Sequence, residues 1–214
     1  ASHELRTPIT TIRGYAELYR SGGLREGDDL AEALRRTEQE SIRMGGLVDD
    51  LLHLARLDQG RPLDRVPVDV AALARDAARD AQAVDTDRPI TVDADRTLVV
   101  NGDEARLRQV LANLVTNALV HTAPGTAVSV RAEREGDDAV IEVADRGEGM
   151  EPDVAARAFE RFFRADPSRS RHRGGTGLGL AIVDATVASH GGSVRLDTSP
   201  GAGTTVRVTL PLGS

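Results

Sequence analysis

The chain has 214 residues, a net charge of −7 at neutral pH, and 40% hydrophobic but only 2% aromatic content, so its core is built from Leu, Val, Ile and Ala. It has no cysteine, which excludes disulfides, thiolate chemistry and cysteine-ligated zinc; the acidic balance excludes a general nucleic-acid binder, which needs a basic surface. All 27 residues of the Lys-plus-Arg total are arginine, a compositional bias, and no apolar run nears the ~20 residues of a membrane span.

Leu5, Ile9, Ile12, Ala16 and Tyr19 are spaced four, three, four and three, which predicts a helix from the first residues onward. Ala1-Ser2-His3 reads as the middle of such a helix, so sensory, membrane or linker parts are expected upstream. Within it, Ser2-His3-Glu4-Leu5-Arg6-Thr7-Pro8 puts an imidazole two residues from the core position Leu5, on the solvent side. Glu4 adjoins it, Thr7 follows one turn later, and Pro8 bends the helix. His3 is a candidate nucleophile, Glu4 its orienting base and Thr7 a water-positioning hydroxyl. A plain surface His-Glu pair is the bland reading of the same residues. After the breaker Ser21-Gly22-Gly23, a second helix starts at Asp28 or Asp29, with Leu30, Leu34, Thr37, Ser41, Met44, Val48, Leu51 and Ala55 in heptad spacing. Two such hairpins complete a four-helix bundle, and Thr37 and Ser41 make its middle the weaker layer.

Residues 59–66 have linker composition. A helix is then expected over 70–83, strands over 90–94 and 97–100, and a long helix over 103–121 that buries Leu107, Val110, Leu111, Leu114, Val115 and Ala118. Asn113 and Asn117, four apart on another side of that helix, offer amide oxygens to a hard cation such as Mg²⁺, or are simply solvated. Strands over 127–133 and 139–144 flank the turn Glu135-Gly136-Asp137-Asp138. Asp145-Arg146-Gly147-Glu148-Gly149-Met150 follows directly. Asp145 suits an adenine amino group, Gly147 and Gly149 permit close backbone approach, and an ordinary acidic turn is the alternative. Phe159, Phe162 and Phe163, beside Arg161 and Arg164, suit a satellite core or the hinge of a lid. The polar stretch 165–173 carries arginines able to reach phosphates. Gly174-Gly175-Thr176-Gly177-Leu178-Gly179-Leu180 opens a helix over 178–189, a phosphate-binding signal that is neither a Walker A nor a Rossmann sequence. Strands over 193–198 and 204–210 close the chain. The sum is an α+β layer with one mixed sheet and helices on one face.

Taken in order, these pieces closely resemble a two-component sensor histidine kinase over essentially the whole chain. His3–Pro8 resembles its H box, Asn113–Asn117 the N box, Asp145–Gly149 the G1 box, Phe159–Phe163 the F box and Gly175–Gly179 the G2 box. The resemblance implies a dimerisation and histidine-phosphotransfer helical hairpin at 1–60, which forms a four-helix bundle in a homodimer. A catalytic ATP-binding domain at 61–214 would follow, an α+β two-layer sandwich of the gyrase/Hsp90/histidine-kinase/MutL type. It implies ATP-dependent autophosphorylation of His3 assisted by Glu4, Mg²⁺ on Asn117 with Asn113, and adenine on Asp145. Further nucleotide contacts fall on His121, Gly147, Gly149, Arg164, Gly175, Thr176, Gly177, Leu178 and Gly179. The implied partner is an aspartate of a response regulator receiver domain, whose dephosphorylation Thr7 would support. No nucleic acid is implied, and membrane attachment comes only through upstream segments of a bacterial protein whose kinase portion is cytoplasmic. Two departures stand out. Val120 occupies the place where many relatives carry Lys or Arg, leaving Arg164 or an arginine of 165–173 as candidate phosphate partner, and the first helix lacks most of the expected part before His3. The rival readings are an ATPase or chaperone cycle in which His3 is incidental, and a pseudokinase or docking scaffold.

Overall fold

The computed structural model describes residues 2–24, 27–58, 63–165 and 176–213; the side chains of residues 2–5, 56 and 58 lie outside that description. The chain divides into two units, Ala1–Ala55 and Arg56–Ser214.

The first unit holds helices α1 (Ser2–Arg20) and α2, which runs over Asp28–Asp58 and so continues into the second unit. Helix α1 keeps Pro8 inside it and ends on Gly22, whose φ of 72° lets the Gly23 amide turn back to the Leu18 carbonyl at 2.8 Å. Helix α2 begins with Asp28 and Asp29 at the positive end of its dipole. Its better-covered positions are Ala33, Thr37, Glu40, Met44, Leu47, Leu51 and Leu54, so the heptad period of the sequence holds. The phase differs. Leu34 (61% exposed), Ser41, Val48 and Ala55 of the predicted stripe face solvent, as do Ile9, Ala16 and Tyr19 of α1, while Pro8 is buried. Thr37, Met44 and Leu51 of α2 are common to the two stripes, and its solvent-facing positions give way to the residue before each, a rotation of the covered strip about the helix axis.

The two polar residues that interrupt the stripe of α2 bond to its own backbone. Thr37 and Ser41 each turn their hydroxyl back onto the carbonyl four residues earlier, at 2.8 Å, which loosens a helix. The Arg43 and Glu40 side chains stand 3.9 Å apart, and Gly45 and Gly46 follow.

The second unit is a sheet covered by helices. Strands β2 (Ile90–Ala94), β4 (Val128–Glu135), β5 (Asp138–Asp145), β6 (Ser193–Thr198) and β7 (Thr204–Pro211) assemble in the order β2-β4-β5-β7-β6. Strand β2 runs parallel to β4 and the other pairs are antiparallel, so the sheet is mixed as expected. Alternation puts Val128, Val130 and Ala132 of β4, Ala139, Ile141 and Val143 of β5, and Val206, Val208 and Leu210 of β7 on the core face. Helices α3 (Val70–Val84), α4 (Glu104–Val120) and, further along the chain, α6 (Gly179–Ser189) pack on that face. Register aligns Asp93, Arg131, Glu142, Arg207 and Arg195 in one row across all five strands on the other side. Arg207 pairs there with Glu142 at 2.5 Å.

Three expectations need correction. The described residues form two sheets, not one: β1 (Val66–Asp69) pairs antiparallel with β3 (Val99–Gly102) as a separate ribbon. Strand β1 begins inside the stretch read as linker, because four residues containing Pro67 carry too little alternation to register. The strand expected at 97–100 is displaced to Val99–Gly102, and a short helix α5 (Pro152–Ala155) was not anticipated. The ribbon has a purpose in the fold. Asp69 at its end caps α3 through Ala71 and Ala72 and also accepts the Leu98 amide at 3.0 Å. Asp103, just beyond β3, caps α4 through the Arg106 amide at 3.2 Å.

Candidate functional site

Helix α4 organises the site. Its buried side holds the six apolar residues read from the sequence, and Asn113, Asn117 and His121 follow each other at intervals of four along another side. Asn113 and Asn117 are half-buried, and Nδ2 of Asn113 donates to the Gly179 carbonyl at 3.4 Å. That bond uses the nitrogen of the amide and leaves its oxygen as the hard donor. His121 is the exposed C-cap residue, its own amide bonded to the Asn117 carbonyl at 3.0 Å. From Asn113 to His121 the helix advances roughly 12 Å.

At the C-terminal end of this line lies the acidic turn. Asp145 closes β5 half-buried, and its Oδ1 accepts the Gly147 amide at 2.8 Å. Burial raises its pKa above the ordinary aspartate value, against the amides of Gly147 and Thr204 and the charges of His121 and Arg88, which favour the carboxylate. Gly149 has φ 66°, and a Cβ there would stand 2.0 Å from the Ser199 carbonyl oxygen. Gly203 approaches the other side, where a Cβ would stand 2.1 Å from the Asp145 carbonyl oxygen. The β6–β7 loop is thus clamped on the turn, with Gly201 N–H donating to Glu148 O at 2.7 Å and Met150 N–H to Thr198 Oγ1 at 3.0 Å.

At the other end is the start of α6. Leu178 is fully buried, and its amide bonds back to Thr176 Oγ1 at 3.2 Å. Gly177 (φ 69°) lies against the phenylalanine segment: Phe162 N–H donates to Gly177 O at 2.8 Å, and a Cβ on Gly177 would meet Phe163 O at 2.9 Å. Phe162 itself has φ 65°, a conformation that a bulky residue adopts only when held. Arg157 stacks over Phe163, 4.2 Å from the ring centre. The three phenylalanines are half-buried, so they form a joint between two motifs and not a closed satellite core. The first turn of α6 supplies the amides that every helix leaves unpaired at its N-terminus.

The structure therefore brings Asn113, Asn117, His121, Asp145, Gly147, Gly149, Thr176, Gly177, Leu178 and Gly179 around α4 and α6. Arg164 is half-buried next to the phenylalanines. Gly175 and the arginines of 169–173 lie outside the described residues. His3 and Glu4 lie in α1 by backbone, with side chains outside the description, and Thr7 is exposed one turn further on. Among the described residues no cluster of three or more acidic, His or Cys side chains could hold a metal ion. The two asparagine amides are the oxygen donors at hand, and so small a donor set suits Mg²⁺, which keeps waters and takes substrate phosphate oxygens. Sequence reasoning missed Thr198 and Gly203, although Gly201-Ala202-Gly203 signalled a tight loop. It also missed Arg88, which nothing marks among so many arginines.

Residues 102–214 match the histidine kinase-, DNA gyrase B-, and HSP90-like ATPase family, and residues 1–60 match the His Kinase A (phospho-acceptor) domain. The probable sensor histidine kinase TcrY of Mycobacterium tuberculosis is 49% identical over 216 residues, covering 99% of this chain and 44% of TcrY. The sensor-like histidine kinase SenX3 of Mycolicibacterium smegmatis is 41% identical, covering 98% of this chain and 55% of SenX3. The Acinetobacter baumannii histidine kinase AdeS shares the fold, with a TM-score of 0.77 at 24% identity over 99% of this chain and 98% of that one. Full-length ShkA in complex with AMPPNP gives a TM-score of 0.73 at 31% identity, covering 100% of this chain and 45% of ShkA. The chain spans about half the length of the curated relatives it matches. With a phosphoacceptor helical hairpin followed by an ATP-binding sandwich, the chain belongs to the sensor histidine kinase family.

Proposed function

We propose that the chain is the catalytic core of a sensor kinase that phosphorylates its own His3 from ATP and passes the phosphoryl group to an aspartate of a response regulator. The observation that carries this reading is the line Asn113–Asn117–His121 on α4, which joins the start of α6 at one end and the Asp145 turn at the other. Its length suits a nucleotide laid from base to γ-phosphate. ShkA, solved with AMPPNP, lends support from a related fold. Asp145 accepts the adenine amino group, the first-turn amides of α6 take phosphate charge, and Asn117 with Asn113 holds Mg²⁺. The metal supplies charge neutralisation to the phosphates. Arg164 or an arginine of 169–173 takes the place that Val120 leaves without a cation.

In the transfer step one imidazole nitrogen of His3 bonds to the γ-phosphorus as the bond to the bridging oxygen breaks and ADP leaves. Glu4 accepts the proton from the other ring nitrogen, and Thr7 holds the water that later releases phosphate from the regulator. The functional domains run 1–60 and 61–214, and the exposed halves of the α1 and α2 stripes are buried in a homodimeric four-helix bundle. The core stands on the cytoplasmic side of a membrane-anchored protein; no described helix of this chain is itself long and apolar enough to cross a membrane.

The test is labelling with γ-labelled ATP and Mg²⁺, comparing the chain with His3→Gln. Acid-labile, alkali-stable label that disappears in the variant while ATP binding persists is expected. Hydrolysis without protein-bound label would transfer the reading to an ATPase cycle, and absence of nucleotide binding to a scaffold.

A further inference from the structure

Arg88 lies just before β2 and is 4% exposed, an unusual place for a guanidinium unless it is paired and fully hydrogen-bonded. Its Nε donates to Asp85 Oδ2 at 2.8 Å, which neutralises it locally. The other donors reach a single segment, the passage from the end of α4 to β4: Nη1 to Thr122 Oγ1 at 2.7 Å and Thr126 O at 3.2 Å, and Nη2 to Leu119 O at 3.4 Å.

Thr122 passes this constraint onward. Its hydroxyl donates to Ala118 O at 2.7 Å while accepting from Arg88, so both roles of the oxygen are filled and the rotamer is fixed. The methyl carbon Cγ2 then stands 2.7 Å from where a Cβ would sit on Gly147. The Gly147 amide in turn holds Asp145 Oδ1 at 2.8 Å. A second link runs from Arg146 N–H to Ala127 O at 3.2 Å, so the passage gathered by Arg88 touches the acidic turn at two points.

We infer that Arg88, acting through Thr122, is a positioning residue for nucleobase recognition: it seats the α4–β4 passage against the Asp145–Gly147 turn and so sets where the Asp145 carboxylate meets the adenine amino group. This rests on the assignment of Asp145 to adenine made above. Arg88 itself touches no substrate, and its effect appears in discrimination between bases, a quantity that general loss of stability leaves alone.

The experiment measures binding of ATP and of inosine triphosphate, whose base carries a carbonyl in place of the amino group, to the full chain with Mg²⁺. Thr122→Val removes the hydroxyl and keeps the volume; Thr122→Ser keeps the hydroxyl. The preference for ATP should fall about fivefold in Thr122→Val, the size of one ordinary hydrogen bond, and be largely retained in Thr122→Ser. Arg88→Met should lower it at least as much; if that variant does not fold, the valine variant decides. A folded Thr122→Val chain with the unchanged preference overturns the inference and leaves Arg88 a purely structural residue. Asp145→Asn is the control. If it leaves the preference intact, or the unaltered chain shows none, the adenine assignment fails first and this inference with it.

Discussion

At the scale of single residues, half-buried Asp145 and buried His190 have pKa values shifted in opposite directions, yet acidification works against both. In the proposed role Asp145 would meet adenine as a carboxylate, and burial raises its pKa above the ordinary 3.8. ATP affinity should therefore start to fall on acidification at a higher pH than an exposed aspartate would cause. Asp145→Asn should weaken ATP binding by roughly ten- to hundredfold, the worth of a charge-assisted hydrogen bond, and remove that acid limb; calorimetric titration across pH reads both. His190 is buried with Nε2 accepting the Asp103 amide at 3.0 Å and Nδ1 bonded to Thr186 O at 2.8 Å, which requires a neutral ring. Burial chiefly lowers its pKa from 6.5; Arg65 and Arg106 nearby act in the same direction, and Asp103 and the Thr186 carbonyl oppose them. Its folded pKa lies below the unfolded value, so its contribution to stability is complete above about pH 6.5 and is lost as pH falls towards the folded value. Melting temperature should decline over that window, and His190→Asn should flatten the decline; equal slopes in both proteins would refute the role.

At the scale of elements, the middle of α2 is where local sequence and helix disagree. Gly45 and Gly46 sit in the helix interior, and a Cβ added to either meets nothing within 4 Å. Alanine at each should stabilise the single chain against urea by about 1 kcal/mol. A loss of stability instead would mean that another surface approaches those glycines. Elements were legible wherever one face is buried and the period runs long enough. Helix α4 is the clear case, because its six core residues are all buried and Asp103 and His121 mark its ends. Strand β1 and its pairing with β3 were not legible, since that ribbon is held by the two strands together and by Leu98 bonding to Asp69, contacts with no local trace. The site divides the same way. Asn113, Asn117, Asp145 and the α6 start could be singled out as candidates because their chemistry sits in short runs. Arg88, Thr122 and Gly203 could not, because their meaning comes from partners far along the chain.

At the scale of the whole molecule, the exposed stripe residues Leu34 and Val48 point to a second copy. Burying two such side chains contributes about 1.5–3 kcal/mol each, so Leu34→Glu with Val48→Glu should weaken the dimer by at least a hundredfold. Sedimentation at several concentrations would show it; an unchanged association constant would place the interface elsewhere. The position of β7 has a different consequence. The last strand in the sequence is inserted between β5 and β6; the loop before it supplies Gly203 against Asp145, and the end of β6 supplies Thr198 against Met150. During synthesis every recognisable motif leaves the ribosome before that strand does. The helical hairpin can form early from its own short-range contacts, but the Asp145 turn acquires its walls only once β6 and the loop after it have been made. The Asp145 turn is thus completed by a long-range contact, which the folding of this unit makes late.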